Sequence, residues 1–575
     1  MRAASFNPVR CALAIAAATC PSLLAYNVSP SPTFWNQALA VALWGWFVVA
    51  SSQHGGPVGR GLAPLQSALA VMALAVLASW WPGSLPAGLA LSALGLLLAS
   101  AVLVASGGQA HSDADPAALF GDFCLGWAVA GAFNVVIAAV QVFWPDLPDG
   151  DRIAHSGIPG RAVGNLRQPN HLSSLLVWSA IAVVGLFELR RLAWCWAAPL
   201  FGAMVFAVVL SASRTGAISM LLLALWGLLD RRLSRRGRAL LIAAPLIYGV
   251  AWLGMAEWAK LSAQTFGGAV RLGEADVSGS RYGIWKNTLA MIRQQPWLGT
   301  GFGEFNYAWS LTPFPGRPVA FFDHTHNLPL QLAAEIGLPL AGLVLALLLW
   351  ALWRAARAAL RDQGDAGLAR RCALMMVLMI GLHSLLEYPL WYSYFLLPTA
   401  WAWAFAGGQA PAKEVQGTRD AQGLAAGGML LVVIAVFSVF DYTRVTAIFS
   451  AAEDGTPLEQ RIARGQHSLL FAHHADYAAA TTDIKLADDL QPFQRAPHYL
   501  LDTRLMMAWA KVLERHGHVD EARAIAERLR EFHNAGSDEF FAACQAADGA
   551  DKAEAFQCQA PLRQPDWREY LKLSR

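Results

Sequence analysis

The sequence predicts an all-α, polytopic membrane protein with about thirteen transmembrane helices and a helical soluble domain at its C-terminal end. Three observations carry this. The chain has 575 residues, of which 56% are hydrophobic and only 14% charged, against about 25% charged in an ordinary soluble protein. The charge is uneven: about 37 of the 83 charged residues fall after position 440, although that tail is under a quarter of the chain. The charge-poor part also breaks into apolar stretches of about 20 residues, the length a helix needs to cross lipid while satisfying its own backbone.

Thirteen such stretches lie at roughly 11–26, 34–52, 62–81, 85–105, 119–144, 171–188, 192–210, 215–230, 239–257, 327–353, 371–386, 388–407 and 424–440. Arg2 and Arg10 before the first apolar run also fit a signal peptide. No small-residue cleavage site follows and a dozen spans do, which favours an uncleaved helix. Orientation follows from the loops. With the N-terminus in the cytoplasm, the inside loops hold Arg60, Arg190, Arg191, the run Arg231 to Arg238, Arg354, Arg357, Arg361, Arg370, Arg371, Lys413 and Arg419. The short outside loops 27–33, 82–84 and 386–389 hold no Lys or Arg, as the positive-inside rule asks.

Thirteen spans place the tail outside the cytoplasm. The expected division is a transmembrane domain over 1–440, carrying a large outside loop at about 258–326, and a soluble domain over 441–575. Within the latter, 500–533 reads as two amphipathic helices joined at Gly517, either a tetratricopeptide-type hairpin or a small helical domain. Cys544 and Cys558 could form a disulfide in an oxidising compartment. The net charge of +3 and the lack of a basic stripe exclude a nucleic-acid binder.

Arginines that defy the orientation rule invite a functional reading. The outside segments carry Arg152, Arg161, Arg167 and Arg214. Four polar blocks meet the outer surface: RAVGNLRQPNH at 161–171, SRT at 213–215, SGSRYGIWKN at 278–287 with Arg281 and Lys286, and DHTHN at 323–327. Planar cations gathered from distant segments suit a phosphate or diphosphate. His324 and His326 are two apart and would point to different sides of a helix. No carboxylate pair completes a metal set, so a general base is the favoured role. The run Gly299-Thr300-Gly301-Phe302-Gly303 lacks the strand and helix of a dinucleotide fingerprint. It reads instead as a turn that lets backbone approach backbone. A transporter, the rival of a different class, should carry ionisable groups at mid-membrane; these spans carry almost none, apart from residues such as Asp122 near an end.

HTHNLPLQLAAEIG resembles the signature of the bacterial O-antigen ligase and polymerase superfamily. SRTG, GSRYGIWKN and QQPWLGTGFGEF resemble further blocks of it, in the same order. NLRQPNHLSSLL and HSLLEYPLWYSYFLLP are similar to the branch of protein O-linked oligosaccharyltransferases, the PglL-like enzymes. The motifs cover about 160–400, and the rest matches by architecture. The resemblance implies a GT-C-like membrane glycosyltransferase that is metal-independent, inverting and without a cofactor. It would move a glycan from an undecaprenyl-diphosphate carrier to Ser or Thr of an exported protein such as a pilin, at the periplasmic face of the inner membrane. The alternatives are an O-antigen ligase acting on lipid A–core and an O-antigen polymerase, with a lipid-linked glycan transporter behind them.

By the same resemblance His326 is the catalytic base, and Arg214 and Arg281 bind the diphosphate. Arg161, Arg167, Asn170, His171 and Glu387 are further donor or acceptor contacts. Asn327 either fixes the imidazole or caps the following helix. Glu335 lies some two and a half turns beyond His326 and is read as structural.

Overall fold

The computed structural model describes residues 7–52, 58, 61–113, 115–273, 277–319, 321–409, 417–451, 455–482, 489–545 and 555–573. Arg2, named above for a signal peptide, and Arg60 and Lys413, used to orient the chain, lie outside them. Among the described residues the regular elements are helices. Ten are long and apolar enough to cross a membrane by length and composition. They include α2 (Phe34–Ser52), α3 (Ala63–Trp80), α4 (Ala87–Gln109), α5 (Pro116–Phe143), α6 (Pro169–Glu188) and α7 (Trp194–Ser211). The others are α9 (Arg235–Ser262), α13 (Leu328–Arg361), α14 (Gly364–Ser384) and α16 (Gly417–Phe449).

Helices also cover the other three expected stretches: α1 (Pro8–Leu23), α8 (Arg214–Leu229) and α15 (Ser393–Gly407). These have only 16, 16 and 15 residues. At about 1.5 Å per residue they fall short of the roughly 30 Å of a bilayer's hydrocarbon. Helices thus lie at all thirteen expected stretches, and ten of them are of spanning length. The segment expected as an outside loop holds α10 (Gly267–Gly273), α11 (Val277–Gln294) and α12 (Phe305–Leu311).

The chain divides into two compact units. The first comprises residues 1–69, 96–274 and 346–437, and the second 70–95, 275–345 and 438–575.

In the first unit α6 is the centre. Nearly all its residues are buried, because α5, α7, α8 and α14 pack round it. Near its middle Ser179 donates to the Trp127 carbonyl at 2.7 Å, which satisfies that buried hydroxyl. Phe123, Trp127, Trp178 and Trp401 form the aromatic middle, with Phe123 and Trp401 stacked at 4.7 Å. One end of this unit is held by ion pairs. Asp122 lies between Arg10 (3.1 Å) and Arg191 (2.7 Å), and Arg371 meets Asp230 at 2.7 Å. Asp122 is therefore a helix-end clasp rather than a mid-membrane relay.

In the second unit the tail folds as the hydrophobic pattern of 500–533 suggests. The helices α20 (Thr503–Arg515) and α21 (Val519–Phe532) flank Gly517, whose φ of 83° suits glycine alone. Their inward stripes, Leu505, Met506, Trp509 and Leu513 facing Ala522, Ile525, Ala526 and Leu529, are buried. Cys544 and Cys558 are joined as a disulfide. The tail grips α12 and the loop after it. Glu304 and His498 meet at 2.7 Å, Asn306 accepts from the Leu501 amide, and Arg317 pairs with Glu531 while lying over the Phe532 ring.

Candidate active site

The predicted site residues fall into two groups, one in each unit. In the first unit, three of the sequence blocks converge on one node. Asn170, in the first turn of α6, donates to Glu387 Oε1 at 2.9 Å and accepts from Ser213 Oγ at 2.7 Å. Ser213 is the N-cap of α8 and accepts from the Gly216 amide. A Cβ at Gly216 would come within 2.3 Å of Ser173 Oγ, so the SRTG block needs its glycine for α8 to close on α6. Beside the node, His171 Nδ1 meets Tyr394 Oη at 3.1 Å, and Ser174 meets His383 at 2.7 Å. Asn170, His171 and Glu387 are all buried. Their contacts are with one another and with neighbouring helices, which makes them a frame for the exposed residues beside them.

The arginines stand on that frame. The loop before α6 is fixed by two amides. Gln141 Oε1 accepts from the Val163 and Gly164 amides, and Asn165 bridges the carbonyls of Leu23 and Arg152. Arg161 then donates to the Ser211 carbonyl at 3.2 Å, at the turn between α7 and α8. Arg271 of α10 donates to Ala212 O at 3.2 Å, and the exposed Arg214 reaches the Arg271 carbonyl at 3.5 Å. Three guanidinium groups therefore gather at residues 211–214, where the N-terminus of α8 adds the positive end of its dipole. Arg167 stands apart, with a left-handed φ of 57° and a contact to the Pro32 carbonyl. Burial pulls its pKa below the usual guanidinium value. Arg271 was not singled out in the sequence, because nothing marks 267–273 as a helix that returns to the α7–α8 turn.

In the second unit the group is the turn before α13. His326 has φ 55°, a left-handed conformation that is uncommon for a residue with a side chain. The turn is pinned on every side. Thr325 Oγ1 donates to the Asn327 carbonyl, Thr325 N donates to Gln331 Oε1 at 2.7 Å, and Trp285 Nε1 donates to the Thr325 carbonyl at 2.9 Å. Gln331 is held in turn by Glu335 at 2.9 Å. Asn327 caps the helix, its Oδ1 accepting from the Leu330 amide at 3.0 Å. The His326 ring stands edge-on to Phe322 at 5.3 Å, and Asn306 holds the Phe322 carbonyl. Arg281 lies one turn before Trp285 on α11, and residues four apart share a helix face. His324 Nδ1 meets Asp323 at 3.2 Å. Among the described residues no group of His, Cys, Asp and Glu is placed to hold a metal ion.

The glycine run forms the base of this group. α13 is broken at Gly337, with φ 74° and ψ 164°. The freed carbonyls there are taken up by the run: Thr300 N donates to Ala334 O at 2.9 Å and Gly301 N to Glu335 O at 2.8 Å. Leu338 N in turn donates to Pro296 O. The contact is so close that a Cβ on Gly299 would lie 2.5 Å from Glu335 O. Backbone approaches backbone, as expected from the spacing. Glu335 is structural through Gln331 and through its own carbonyl.

Known families match along the same stretches. The family described as "O-Antigen ligase" matches 199–345, "Virulence factor membrane-bound polymerase, C-terminal" matches 371–546, and "Protein glycosylation ligase" matches 162–187. Over these stretches the chain is similar to the O-antigen ligase and membrane-bound polymerase families. The short match at 162–187 and two relatives are to protein-glycosylating enzymes. Both relatives are from Acinetobacter baylyi. One is a general O-oligosaccharyltransferase, 28% identical over 44% of each chain. The other is a ComP-specific O-oligosaccharyltransferase, 26% identical over 46% of each. The chain thus spans less than half the length of the curated relatives it matches.

Proposed function

We propose that the protein is an O-linked oligosaccharyltransferase of the periplasmic face of the bacterial inner membrane. Its donor is a glycan on undecaprenyl diphosphate, and its acceptor is a Ser or Thr of an exported protein such as a pilin. The observation that carries this is the node of Asn170, Ser213 and Glu387. It ties the two blocks similar to the protein-glycosylating branch, at 165–176 and 383–398, to the SRTG block, and it holds the turn from which Arg214 projects. The node supports this reading by joining the three blocks in space.

By the motif match Arg214 and Arg281 are the diphosphate-binding arginines, and Arg161 lies beside Arg214 at the α7–α8 turn. Guanidinium groups fit phosphate oxygens in pairs and strengthen as charge develops on the leaving oxygen. His326 accepts the proton of the acceptor hydroxyl. The freed oxygen attacks the anomeric carbon, the bond from that carbon to the diphosphate breaks, and the carrier leaves with the electron pair. Attack opposite the leaving group inverts the anomeric centre. The diphosphate is a good leaving group once neutralised, so no acid is required to protonate it. The disulfide in the tail and the arginine-rich inside loops support the orientation.

The test is reconstitution of the full chain with a lipid-diphosphate glycan, offered a pilin and lipid A–core in parallel. Glycan on the pilin is expected. Glycan only on lipid A–core would make the protein an O-antigen ligase, and extension of the donor glycan alone would make it a polymerase.

A further inference from the structure

The second feature of interest is a cavity of about 660 Å³ in the first unit, at the end opposite the Asn170 node. It lies where α13 ends, and Trp353, Arg354, Arg357, Arg361, Asp362 and Arg370 line it. Four arginines thus face one aspartate. That aspartate is taken: Asp362 pairs with Arg370 at 2.7 Å, and Arg370 is further held by the Ala406 and Gly408 carbonyls. Among the described residues no carboxylate lies within ion-pair distance of Arg354, Arg357 or Arg361.

These three sit three and four residues apart, which stacks them on one stripe of α13. Like charges on one stripe repel, and the C-terminal dipole of the helix offsets only part of this. The buried Nε of Arg354 has no hydrogen-bond partner, and its guanidinium lies over Gly61, where a Cβ would come within 2.6 Å. The cavity is therefore built and positive, and it is too large for a lone phosphate. Directly before it on α13, Leu349, Trp350 and Trp353 are exposed, each by half or more. Exposed tryptophans beside arginines at the end of a span match the headgroup level of a membrane. A soluble anion would have no use for that apolar approach, whereas an amphiphile would lie along it.

We propose that this cavity binds the headgroup of an anionic phospholipid, with the phosphate on Arg354, Arg357 and Arg361 and the acyl chains along Leu349 and Trp350. The site is separate from the proposed transfer chemistry and does not rest on it.

The full-length protein in neutral detergent would be titrated with cardiolipin, phosphatidylglycerol, phosphatidylcholine and inorganic pyrophosphate. Bound copies are read by native mass spectrometry and thermal shift. The two anionic lipids are expected to bind and stabilise, and phosphatidylcholine to do neither. Arg357→Gln and Arg361→Gln change exposed side chains and should fold. Each is expected to weaken anionic-lipid binding about fivefold, and the corresponding Lys variants to keep most of it. Equal retention of phosphatidylcholine, or Gln variants that bind like wild type, would overturn the proposal. Pyrophosphate binding as tightly as the lipids, with the same arginine dependence, would assign the cavity to a soluble anion instead.

Discussion

Asn170 donates to Glu387 at 2.9 Å across 217 residues of sequence, and the same amide accepts from Ser213. A side chain that both donates and accepts is what allows three separate helix ends to be fixed by one residue. This gives the first prediction. Asn170→Ala leaves a buried carboxylate and a buried hydroxyl without that partner, which costs about 1–3 kcal/mol. Thermal unfolding in detergent should fall accordingly, and transfer should drop with it, because the turn holding Arg214 loses its anchor. Asn170→Asp would place two carboxyl groups together and should be worse than alanine. A variant of full stability with lost transfer would instead show that Asn170 touches substrate.

The turn before α13 makes the second prediction. His326→Ala should reduce transfer by about 10²–10⁴-fold, the usual contribution of a general base, with the unfolding temperature near wild type. Gln331→Ala removes the group that fixes Thr325 and should lower turnover more than it lowers acceptor binding. Near-normal transfer by His326→Ala would remove the histidine from the chemistry.

The third prediction concerns the glycine run. Gly299→Ala puts a methyl group 2.5 Å from Glu335 O at a φ of 67°, so the backbone must move. Destabilisation of about 2 kcal/mol or more is expected from strain of this kind. Gly316→Ala, a position with open space around it, should be tolerated and serves as the control.

The fourth is a pH dependence of the tail. In α18 (Ala472–Thr481) His473 and His474 are buried side by side, both against the Tyr499 ring. Burial pushes His474 down to about 3 and His473 well below its ordinary value, the latter helped by His474 and Arg495. A depressed imidazole is neutral when folded and charged when unfolded. Its contribution to stability is present above about pH 6.5 and is lost as pH falls, by up to about 1.4 kcal/mol per unit for each histidine. Unfolding of the second unit should therefore shift to lower temperature between pH 7 and pH 5. His474→Phe should flatten that slope; an unchanged slope would place the sensitivity elsewhere.

The sequence by itself determined the class of the molecule. Charge scarcity over 440 residues and runs of about 20 apolar residues leave helices in lipid as the only backbone that satisfies itself, whatever the packing. Local chemistry was legible for the same reason. Asn327 as one candidate cap and Gly517 as a turn depend on residues near in sequence, and the glycine run marks a close backbone approach without naming its partner, Ala334–Glu335. The tertiary structure alone decided which polar groups meet. Nothing in a one-dimensional pattern pairs Asn170 with Glu387, brings Arg271 back to the 211–214 turn, or sets Asp122 between Arg10 and Arg191. Those pairings come from helix packing: α6 with α8 and α14 for the first, α10 with α7 for the second, and α1 with α5 for the third. Once that packing removes water, each buried polar atom must find its partner wherever the fold has carried it. The resemblance gives Asn170, His171 and Glu387 as donor or acceptor contacts. All three are buried, and the node of Asn170, Ser213 and Glu387 holds the turn from which Arg214 projects.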